Sequence, residues 1–175
     1  MKSLKLVKRF ITPSPVVTLI YWLKFKCFVS PRSEVDLSKL MKIGEGSVVG
    51  SFTKIKAADG PLVIGKSVDI GTSCFIAAGK GGISIGDFCM VAPGATIVGN
   101  NYRYDRLDVP VCQQGQTSKG IEIANNVWIG AGAVILDGAN IQEGVIVTPN
   151  SVVSAKIPVN SIVQGNPAKV LFERR

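Results

Sequence analysis

The sequence predicts an all-β protein built as a parallel β-solenoid, preceded by a short helical arm and interrupted by one protruding loop. Three observations predict it: aliphatic residues, all isoleucine or valine, recur every six positions, 19 glycines provide for many tight corners, and aromatic residues make up only 7% of the chain. Each hexad then forms one short strand and a turn, and three hexads close one coil. A coil cannot bury its apolar residues alone, so the coils must stack into one continuous core.

The six-residue phase is held over fifteen positions, all of them isoleucine or valine. They are Ile43, Val49, Ile55, Ile64, Ile70, Ile76, Ile85, Val91, Ile97, Ile123, Ile129, Ile135, Ile141, Val147 and Val153. Three interruptions break the phase: three extra residues near 59–62, three near 80–82, and twenty between Ile97 and Ile123. A β-sandwich would show period-two alternation instead. We therefore expect about five coils between Met41 and Pro158, with residues 98–120 forming a loop that leaves the solenoid.

Charge divides the chain into an arm and a solenoid. Residues 1–42 carry nine Lys and Arg against Glu34 and Asp36, whereas the remaining residues carry eleven Lys and Arg against ten acidic residues. We expect a basic arm over residues 1–40, the solenoid domain over 41–170 and a tail over 171–175. Nucleic-acid binding would need basic and aromatic residues interleaved over one face, so we expect no nucleic-acid partner.

The arm contains one predicted helix, within SPVVTLIYWLKFKCFVSP. Ser14 suits the N-cap, Pro15 the first helical position, and Pro31 limits the extent of the helix. One face at helical spacing is apolar and consists of Val16, Leu19, Ile20, Leu23 and Cys27. The eight residues from Val16 to Leu23 are too few to span a bilayer. Two roles remain, a plug for the open end of the solenoid and a basic amphipathic helix on an anionic membrane, and both hold if they use opposite faces.

The four cysteines form no short pair of the kind that binds zinc or forms a redox dithiol. Cys74 and Cys89 fall on the inward fifth position of a hexad, which predicts two small core residues. Cys112 lies in the loop, where a thiol nucleophile is the alternative to a solvated side chain, although the chain has no histidine to activate it. No secretory signal is recognisable, and we expect the reducing cytoplasm as the setting.

Residues 117–170 resemble the hexapeptide-repeat acyltransferases, and most of all the bacterial sugar O-acetyltransferases that decorate capsule, exopolysaccharide or lipopolysaccharide. The motifs NVWIGAGAVI and GNPAKV carry the resemblance, and the hexads extend it back to about Ile43. It implies a left-handed parallel β-helix, a homotrimer, and acetyl-CoA as acyl donor in the groove between adjacent prisms. It also implies a saccharide or lipid-linked saccharide as acceptor. No metal is expected, because carbonic anhydrases of this fold bind their metal through histidines and this chain has no histidine.

The resemblance places the general base at the start of the loop. Family members carry a histidine there, which takes the proton of the acceptor hydroxyl as its oxygen attacks the thioester. Here that position is Tyr102, and a phenol, with an ordinary pKa of about 10, is a weak base at pH 7. Asp105 and Asp108 are the alternative bases, and stacking on a sugar or on CoA is the alternative role for Tyr102. We expect Asn101, Asp108 and Gln114 to contact the acceptor.

The positions that line the CoA groove of the family align with Ala131, Pro149, Ser154, Ala155 and Lys169. Lys169 would meet a CoA phosphate as a point charge. The alternative for each position is an ordinary corner residue or, for Lys169, a solvated side chain. Many relatives carry Thr-Lys where this chain has Ser154–Ala155, so one phosphate contact is altered, with Lys156 as the nearest replacement.

Three functional classes therefore remain open from the sequence. They are an acetyl-CoA-dependent transferase acting on a saccharide with an unusual base, a CoA-binding pseudoenzyme, and a structural trimer in a polysaccharide assembly complex. The groove positions and the family-like loop favour the transferase. We expect it in the cytoplasm, at the inner membrane face if the arm binds lipid.

Overall fold

The computed structural model describes residues 12–57 and 59–174, most of which wind around one axis as a parallel β-helix. Three sheets form its faces, which we call sides A, B and C. Side A contains β1 (Phe28–Val29), β4 (Val48–Val49), β7 (Asp69–Ile70), β10 (Met90–Val91), β15 (Trp128–Ile129), β18 (Ile146–Val147), β21 (Ser161–Gly165) and β22 (Ala168–Glu173). Side B contains β2 (Glu34–Val35), β5 (Lys54–Lys56), β8 (Phe75–Ala77), β11 (Thr96–Val98), β16 (Val134–Leu136) and β19 (Val152–Val153). Side C contains β3 (Met41–Ile43), β6 (Leu62–Ile64), β9 (Ile83–Ile85), β14 (Ile121–Ile123), β17 (Asn140–Ile141) and β20 (Lys156–Ile157).

The core is a set of aliphatic stacks, one for each side. On side B, Ile76, Ile97 and Ile135 lie in register on consecutive strands and are fully buried. All fifteen positions of the six-residue phase are buried in the same way, which confirms the predicted solenoid. Parallel pairing places each inward side chain directly above its equivalent, so the stack excludes water along the whole axis.

Two of the three corners turn through a residue with positive φ, in every coil at the corner between sides C and A and in every coil after the first at the corner between sides A and B. These residues are Phe52, Ser73, Gly94, Gly132 and Asn150 between sides A and B, and Gly46, Ser67, Phe88, Asn126, Gly144 and Asn160 between sides C and A. Glycine and asparagine adopt this conformation at little cost. The third corner, between sides B and C, contains all three interruptions of the hexad phase, so the variable segments lie on one edge of the prism.

Small residues line the inside of the regular corners. Cys74 and Cys89 are buried there, as predicted from their hexad position, and burial raises the pKa of both thiols. Each sulfur lies near a backbone carbonyl oxygen, 3.3 Å from Ala92 for Cys74 and 3.1 Å from Ala124 for Cys89. The thiols are therefore part of the core and remain protonated at neutral pH.

The solenoid starts earlier than the sequence suggested. Strands β1 and β2 pair with β4 and β5, so the parallel stack begins at Phe28, within the segment assigned to the arm. Val29 and Val35 supply the inward side chains and are six residues apart, but they are out of phase with Ile43. Because of this break in the phase, the count of hexads from Ile43 did not include the first coil.

The helix α1 (Ser14–Phe25) closes the N-terminal end of the solenoid. Val17 and Tyr21 are buried in the core, the Tyr21 hydroxyl donates to the Asp36 carbonyl at 2.7 Å, and the Thr18 hydroxyl donates to the Val29 carbonyl at 2.7 Å. The N-cap position belongs to Pro13 and has no side-chain cap, so the assignment of Ser14 as N-cap is wrong by one residue. The plug role of the helix therefore follows from its contacts.

The apolar stripe of the predicted helix faces away from the core. Val16, Leu19 and Leu23 are 42%, 50% and 66% exposed, and Ile20 is partly exposed. Cys27 is buried, but it lies beyond the end of the helix. Within residues 12–57 and 59–174, no helix combines the length and apolar character needed to cross a membrane.

The C-terminal end of the solenoid is covered by a hairpin. Strand β22 turns back antiparallel on β21, and Lys169 pairs with Gln164 close to the corner between sides A and B. Ser151 supports this turn, because its hydroxyl accepts a hydrogen bond from the Gly165 backbone at 3.1 Å. The tail predicted from residue 171 is thus largely strand, up to Glu173.

Candidate active site

The long loop leaves the solenoid at the corner between sides B and C, after β11, and returns at β14. Its stem is a small antiparallel hairpin of β12 (Asn101–Tyr102) and β13 (Gln116–Thr117), and its tip contains a 3-10 turn at Val111–Gln113. The strands on both sides of the loop keep their parallel pairing, β11 with β16 and β9 with β14. The loop is therefore an insertion that leaves the prism unchanged.

The base of the loop is fixed by contacts that the sequence analysis missed. The Ser118 hydroxyl donates to the Gly99 carbonyl at 2.5 Å and accepts from the Gly81 backbone at 2.8 Å. A side chain at Gly79 would bring its Cβ within 2.2 Å of the Gly99 carbonyl oxygen, so only glycine allows this approach.

Asp137 holds the point at which the chain re-enters the solenoid. Its carboxylate accepts the backbone N–H of Lys119 at 2.8 and 2.9 Å and that of Gly120 at 2.9 Å. Asp137 lies 18 residues, or three hexads, after Lys119, which places it one coil higher at the same corner. That spacing is the signal by which the contact is recognisable in the sequence.

The tip of the loop is organised around Gln114. Its side-chain oxygen accepts from the Arg106 backbone at 3.0 Å, and its amide nitrogen donates to the carbonyls of Arg106 and Val109, both at 2.7 Å. Each polar atom of this side chain is thus engaged within the loop. Gln114, which we expected to contact the acceptor, shapes the loop in this structure.

Tyr102 stands on the stem of the hairpin with its ring 48% exposed. Its backbone N–H donates to the Asn101 side-chain oxygen at 3.0 Å, which orients the Asn101 amide locally. Within residues 12–57 and 59–174, no side chain forms a hydrogen bond with the Tyr102 hydroxyl or the Asp105 carboxylate. Both groups are open to a ligand, and neither has an orienting side chain in the part of the chain that the structure describes.

Asp108 is a weaker base than the sequence analysis supposed. Arg106 forms two contacts with its carboxylate, from Nε at 3.1 Å and from Nη2 at 2.5 Å. This pairing lowers the pKa of Asp108. A carboxylate stabilised in its charged form accepts a proton less readily, so Asp105 is the better of the two loop carboxylates.

The donor-side residues lie at two different edges of the prism. Ala131 and Pro149 occupy consecutive coils at the corner between sides A and B, where the Asn150 N–H donates to the Ala131 carbonyl at 2.9 Å. Lys169 is near the same edge on β22. Ser154 and Ala155 lie at the corner between sides B and C, the edge that carries the loop, and all five residues are exposed.

The two edges do not meet within one chain. In the described part of the chain, no hydrogen bond or ion pair joins a loop residue to Ala131, Pro149 or Lys169. Ser154 follows β19, which is two strands above β11 on side B. Two strand spacings amount to about 10 Å, so this pair shares an edge with the loop at a short distance along the axis.

A shallow groove of about 390 Å³ runs along side C next to the base of the loop. Lys119 and Gly120 form its loop-side wall, and the outward side chains of Glu122 and Asn140 lie on its floor. The Asn140 amide donates to the Glu122 carboxylate at 2.8 Å. No group of three metal-ligating side chains occurs among residues 12–57 and 59–174.

Curated proteins similar to this chain are acetyltransferases. A probable acetyltransferase of Mycobacterium tuberculosis is 31% identical over 135 residues, which span 77% of this chain and 45% of the relative. WbbJ of Escherichia coli, named as a lipopolysaccharide biosynthesis O-acetyl transferase, is 24% identical over 85% of this chain and 76% of its own length. The galactoside O-acetyltransferase of Escherichia coli is 32% identical over 52% of this chain and 44% of its own length. No protein-family model matches the chain.

Solved structures share the fold. A mutant of AntD, an N-acyltransferase from Bacillus cereus, in complex with dTDP and coenzyme A matches with a TM-score of 0.77 at 18% identity, over 90% of this chain and 88% of AntD. A hexapeptide-repeat acetyltransferase from Vibrio cholerae, complexed with acetyl-CoA, matches with a TM-score of 0.61 at 21% identity, over 98% of this chain and 83% of that one. The fold is the left-handed parallel β-helix.

The chain is similar to acetyltransferases of the hexapeptide-repeat family. The predicted resemblance and fold class are thereby confirmed. The chain nevertheless spans less than half the length of the mycobacterial and galactoside relatives. Its regular solenoid carries one long loop with Tyr102 on the stem, and the chain contains no histidine.

Proposed function

We propose that this protein is an acyl-CoA-dependent transferase, with acetyl-CoA as donor, that acylates a saccharide hydroxyl during capsule, exopolysaccharide or lipopolysaccharide biosynthesis. The observation that carries the proposal is the polar hairpin loop, which leaves an otherwise regular prism at one edge while the donor-side residues Ala131, Pro149 and Lys169 lie at the next edge. The names of the relatives, a lipopolysaccharide O-acetyl transferase and a galactoside O-acetyltransferase, support a saccharide acceptor.

The reaction is a single acyl transfer. The acceptor oxygen attacks the thioester carbonyl and loses its proton to a base, the carbon–sulfur bond breaks, and CoA leaves as a thiolate that takes up a proton. Tyr102 and Asp105 are the groups we assign to proton transfer, because both are exposed on the loop and neither is engaged elsewhere in the described chain. Asn101 and Asp108 flank them and are assigned to the acceptor.

Few side chains of this protein are needed to bind the acyl donor. We propose that the pantetheine arm passes Ala131 and Pro149, whose small exposed surfaces leave room at the corner, and that Lys169 meets a CoA phosphate. Ser154 and Ala155 would line the same groove from the edge that carries the loop.

The division of the site between two edges supports a homotrimer. A heterologous contact joins one edge of a subunit to a different edge of the next, and such contacts close into a ring of three if the rotation is 120°. Each of three identical grooves would then combine the loop edge of one chain with the donor edge of its neighbour. We propose a cytoplasmic setting, where acyl-CoA is available, at the inner face of the membrane.

A CoA-binding protein without turnover is the second candidate, and a structural trimer in a polysaccharide assembly complex is the third. Two observations favour the absence of turnover: the chain has no histidine, and the ion pair with Arg106 makes Asp108 a weak base. General-base catalysis contributes roughly 10²- to 10⁴-fold in rate, so its loss would slow the enzyme by that factor.

One experiment separates the candidates. The purified protein is incubated with acetyl-CoA and a panel of nucleotide-linked, lipid-linked and free saccharides, and the released CoA thiol and the acylated product are both measured. The transferase releases CoA only with a productive acceptor. The non-catalytic protein releases none, but CoA at 100 times its dissociation constant still stabilises it by about 2.7 kcal/mol. If neither release nor thermal stabilisation occurs, only the structural trimer remains.

A further inference from the structure

The outward side of α1 is an apolar surface with no partner in the described chain. We call Val16, Leu19, Trp22 and Leu23 the outer face of α1, and these side chains are 42%, 50%, 60% and 66% exposed. The opposite side of the helix is anchored to the solenoid through Val17, Tyr21 and Thr18. The helix is thus held in place by one side while it presents the other at the end of the prism.

Two exposed lysines adjoin the outer face, in a segment whose sequence is basic. Seven Lys and Arg residues precede the first acidic residue of the chain, Glu34, and no acidic residue lies among them. Of these, Lys24 and Lys26 follow the outer face directly and are exposed. Lys26 lies 3.3 Å from the Glu45 carboxylate, and the Lys24 ammonium lies 5.2 Å from the centroid of the Phe25 ring. The basic residues at positions 2, 5, 8 and 9 lie outside the described residues.

We infer that the outer face of α1 binds an anionic lipid bilayer and that the prism stands on the membrane by its N-terminal end. Leucine and valine side chains enter the acyl boundary, a tryptophan such as Trp22 has its preferred place at the headgroup level, and lysines interact with anionic headgroups. The 12-residue helix is too short to span a bilayer, so it lies in the interface. This combination of exposed Trp, Leu and Lys on a rigidly anchored helix fits a lipid surface.

Charge argues against a second copy as the occupant. Two outer faces in contact would bring Lys24 and Lys26 of one chain close to the same lysines of the other, with a Glu45 carboxylate beside each Lys26. Like charges at such close range repel each other. An anionic surface removes this repulsion and supplies the apolar environment at the same time.

The orientation has a consequence for the acceptor, if the proposed transferase function holds. On side B, the strands run β2, β5, β8, β11 from the N-terminal end, and the loop follows β11. Three strand spacings place the loop about 14 Å above β2. That height suits the headgroup of a lipid-linked saccharide, and a ring of three prisms would bring three outer faces to one membrane plane.

Vesicle binding of the full-length chain, without acyl-CoA or acceptor, tests the inference apart from catalysis. Flotation is measured with vesicles of phosphatidylcholine alone and of phosphatidylcholine mixed with phosphatidylglycerol. We expect binding to the mixed vesicles only, weakened by salt because the attraction is screened within a Debye length. Replacement of Lys24 and Lys26 by Gln should weaken partitioning by roughly tenfold or more.

A matched pair of variants locates the contact. Leu19→Ser with Leu23→Ser should reduce partitioning at least about tenfold, since both side chains would enter the acyl boundary. Val159→Ser with Leu171→Ser removes side chains of similar exposure, 54% and 52%, at the opposite end of the prism and should leave binding unchanged. Equal loss in both pairs, or binding retained by the outer-face pair, overturns the inference.

Trp22 provides a readout that leaves the outer face intact. The chain has two tryptophans, so Trp128→Phe leaves Trp22 as the only one. Its emission should shift to shorter wavelength and be quenched by brominated lipid when mixed vesicles are added. Three outcomes overturn the inference: no flotation with any vesicle, equal flotation with neutral vesicles, or a Trp22 already shielded from acrylamide in the absence of lipid, which would show that protein covers the face.

Discussion

At the residue scale, the central feature is the exposed phenol of Tyr102, at the position where the family resemblance predicts a histidine. Tyr102 occupies a hairpin whose backbone is well defined by pairing with Gln116, so the position of the side chain does not depend on the identity of the residue. The ring is accessible, and no partner in the described chain holds the hydroxyl. The position proposed for the base is therefore accessible to an acceptor.

We expect Tyr102→His to increase acetyl-CoA consumption in the presence of a productive acceptor, by up to about 10²-fold. An imidazole with an ordinary pKa near 6.5 is largely neutral at pH 7 and accepts a proton without the cost of forming a phenolate. Steady-state release of the CoA thiol measures the effect. Tyr102→Phe is the control: it is silent if the phenol only packs, and it abolishes turnover if the phenol transfers the proton. A fast wild type that is inactivated by Asp105→Asn and unaffected by Tyr102→Phe would assign the base to the carboxylate.

The cysteines give a second prediction at this scale. Burial raises the pKa of the Cys27 thiol to about 11 and also raises the pKa of Cys74 and Cys89. Little thiolate forms at pH 8, so these three thiols should be inert to a disulfide reagent in the native protein, whereas the exposed Cys112 should react. We expect one fast thiol of the four in buffer and all four in denaturant. Cys112→Ser should show no fast thiol and unchanged acyl transfer, and a loss of transfer would make Cys112 a nucleophile.

At the element scale, the loop has a defined structure of its own, which is fixed by contacts at its tip, its stem and its base. Gln114 closes the tip, the hairpin pairs the stem, and Ser118 with Asp137 fixes the base. The sequence located this loop because the hexad phase breaks for twenty residues at one corner. The hydrogen bonds that hold the loop could not be predicted, because most of them join polar residues whose separation in the chain carries no periodic signal. The exception is the pair Lys119 and Asp137, which are three hexads apart.

The arm shows a different limit. Its apolar stripe was visible in the sequence, but the stripe faces outward, because Val17 and Tyr21 make the packing and hydrogen bonds that hold the helix on the solenoid. Because apolar residues occur all around this helix, their periodicity alone does not predict which side is buried. The first coil was missed for a related reason, since Val29 and Val35 are out of phase with Ile43.

We expect Asp137→Ala to loosen the base of the loop without unfolding the prism. Three backbone hydrogen bonds to one partly exposed carboxylate are lost, a local destabilisation of about 1–3 kcal/mol. Amide hydrogen exchange should accelerate at Lys119 and Gly120, and the KM for the acceptor should rise while the KM for the donor stays constant. Asp87→Ala is the matched control, because Asp87 accepts the Lys66 N–H at 2.7 Å at another corner. Equal changes in both variants would contradict a role in loop positioning.

At the scale of the whole molecule, the loop residues and the donor-side residues of the proposed site lie at different edges of the prism. The loop projects from the edge between sides B and C, whereas Ala131, Pro149 and Lys169 lie at the edge between sides A and B. A rigid solenoid cannot bend to bring its own edges together, because each coil is bonded to its neighbours on all three sides. If both groups of residues belong to one site, as proposed above, that site forms between chains.

Subunit complementation tests this arrangement. One variant carries Tyr102→Phe with Asp105→Asn and lacks the proposed base. A second carries Ala131→Arg with Lys169→Glu, which fills the donor corner and reverses its charge.

Each variant alone should be inactive, because every groove in its trimer has one defective half. With random assembly, each mixed trimer has one groove of three that combines an intact loop with an intact donor edge. This amounts to about a quarter of all grooves, so coexpression should restore about a quarter of wild-type activity. Light scattering should show three 18.5 kDa chains in each preparation. Mixed trimers that remain inactive would place both halves of the site in one chain, and a monomeric wild type would remove the shared groove altogether.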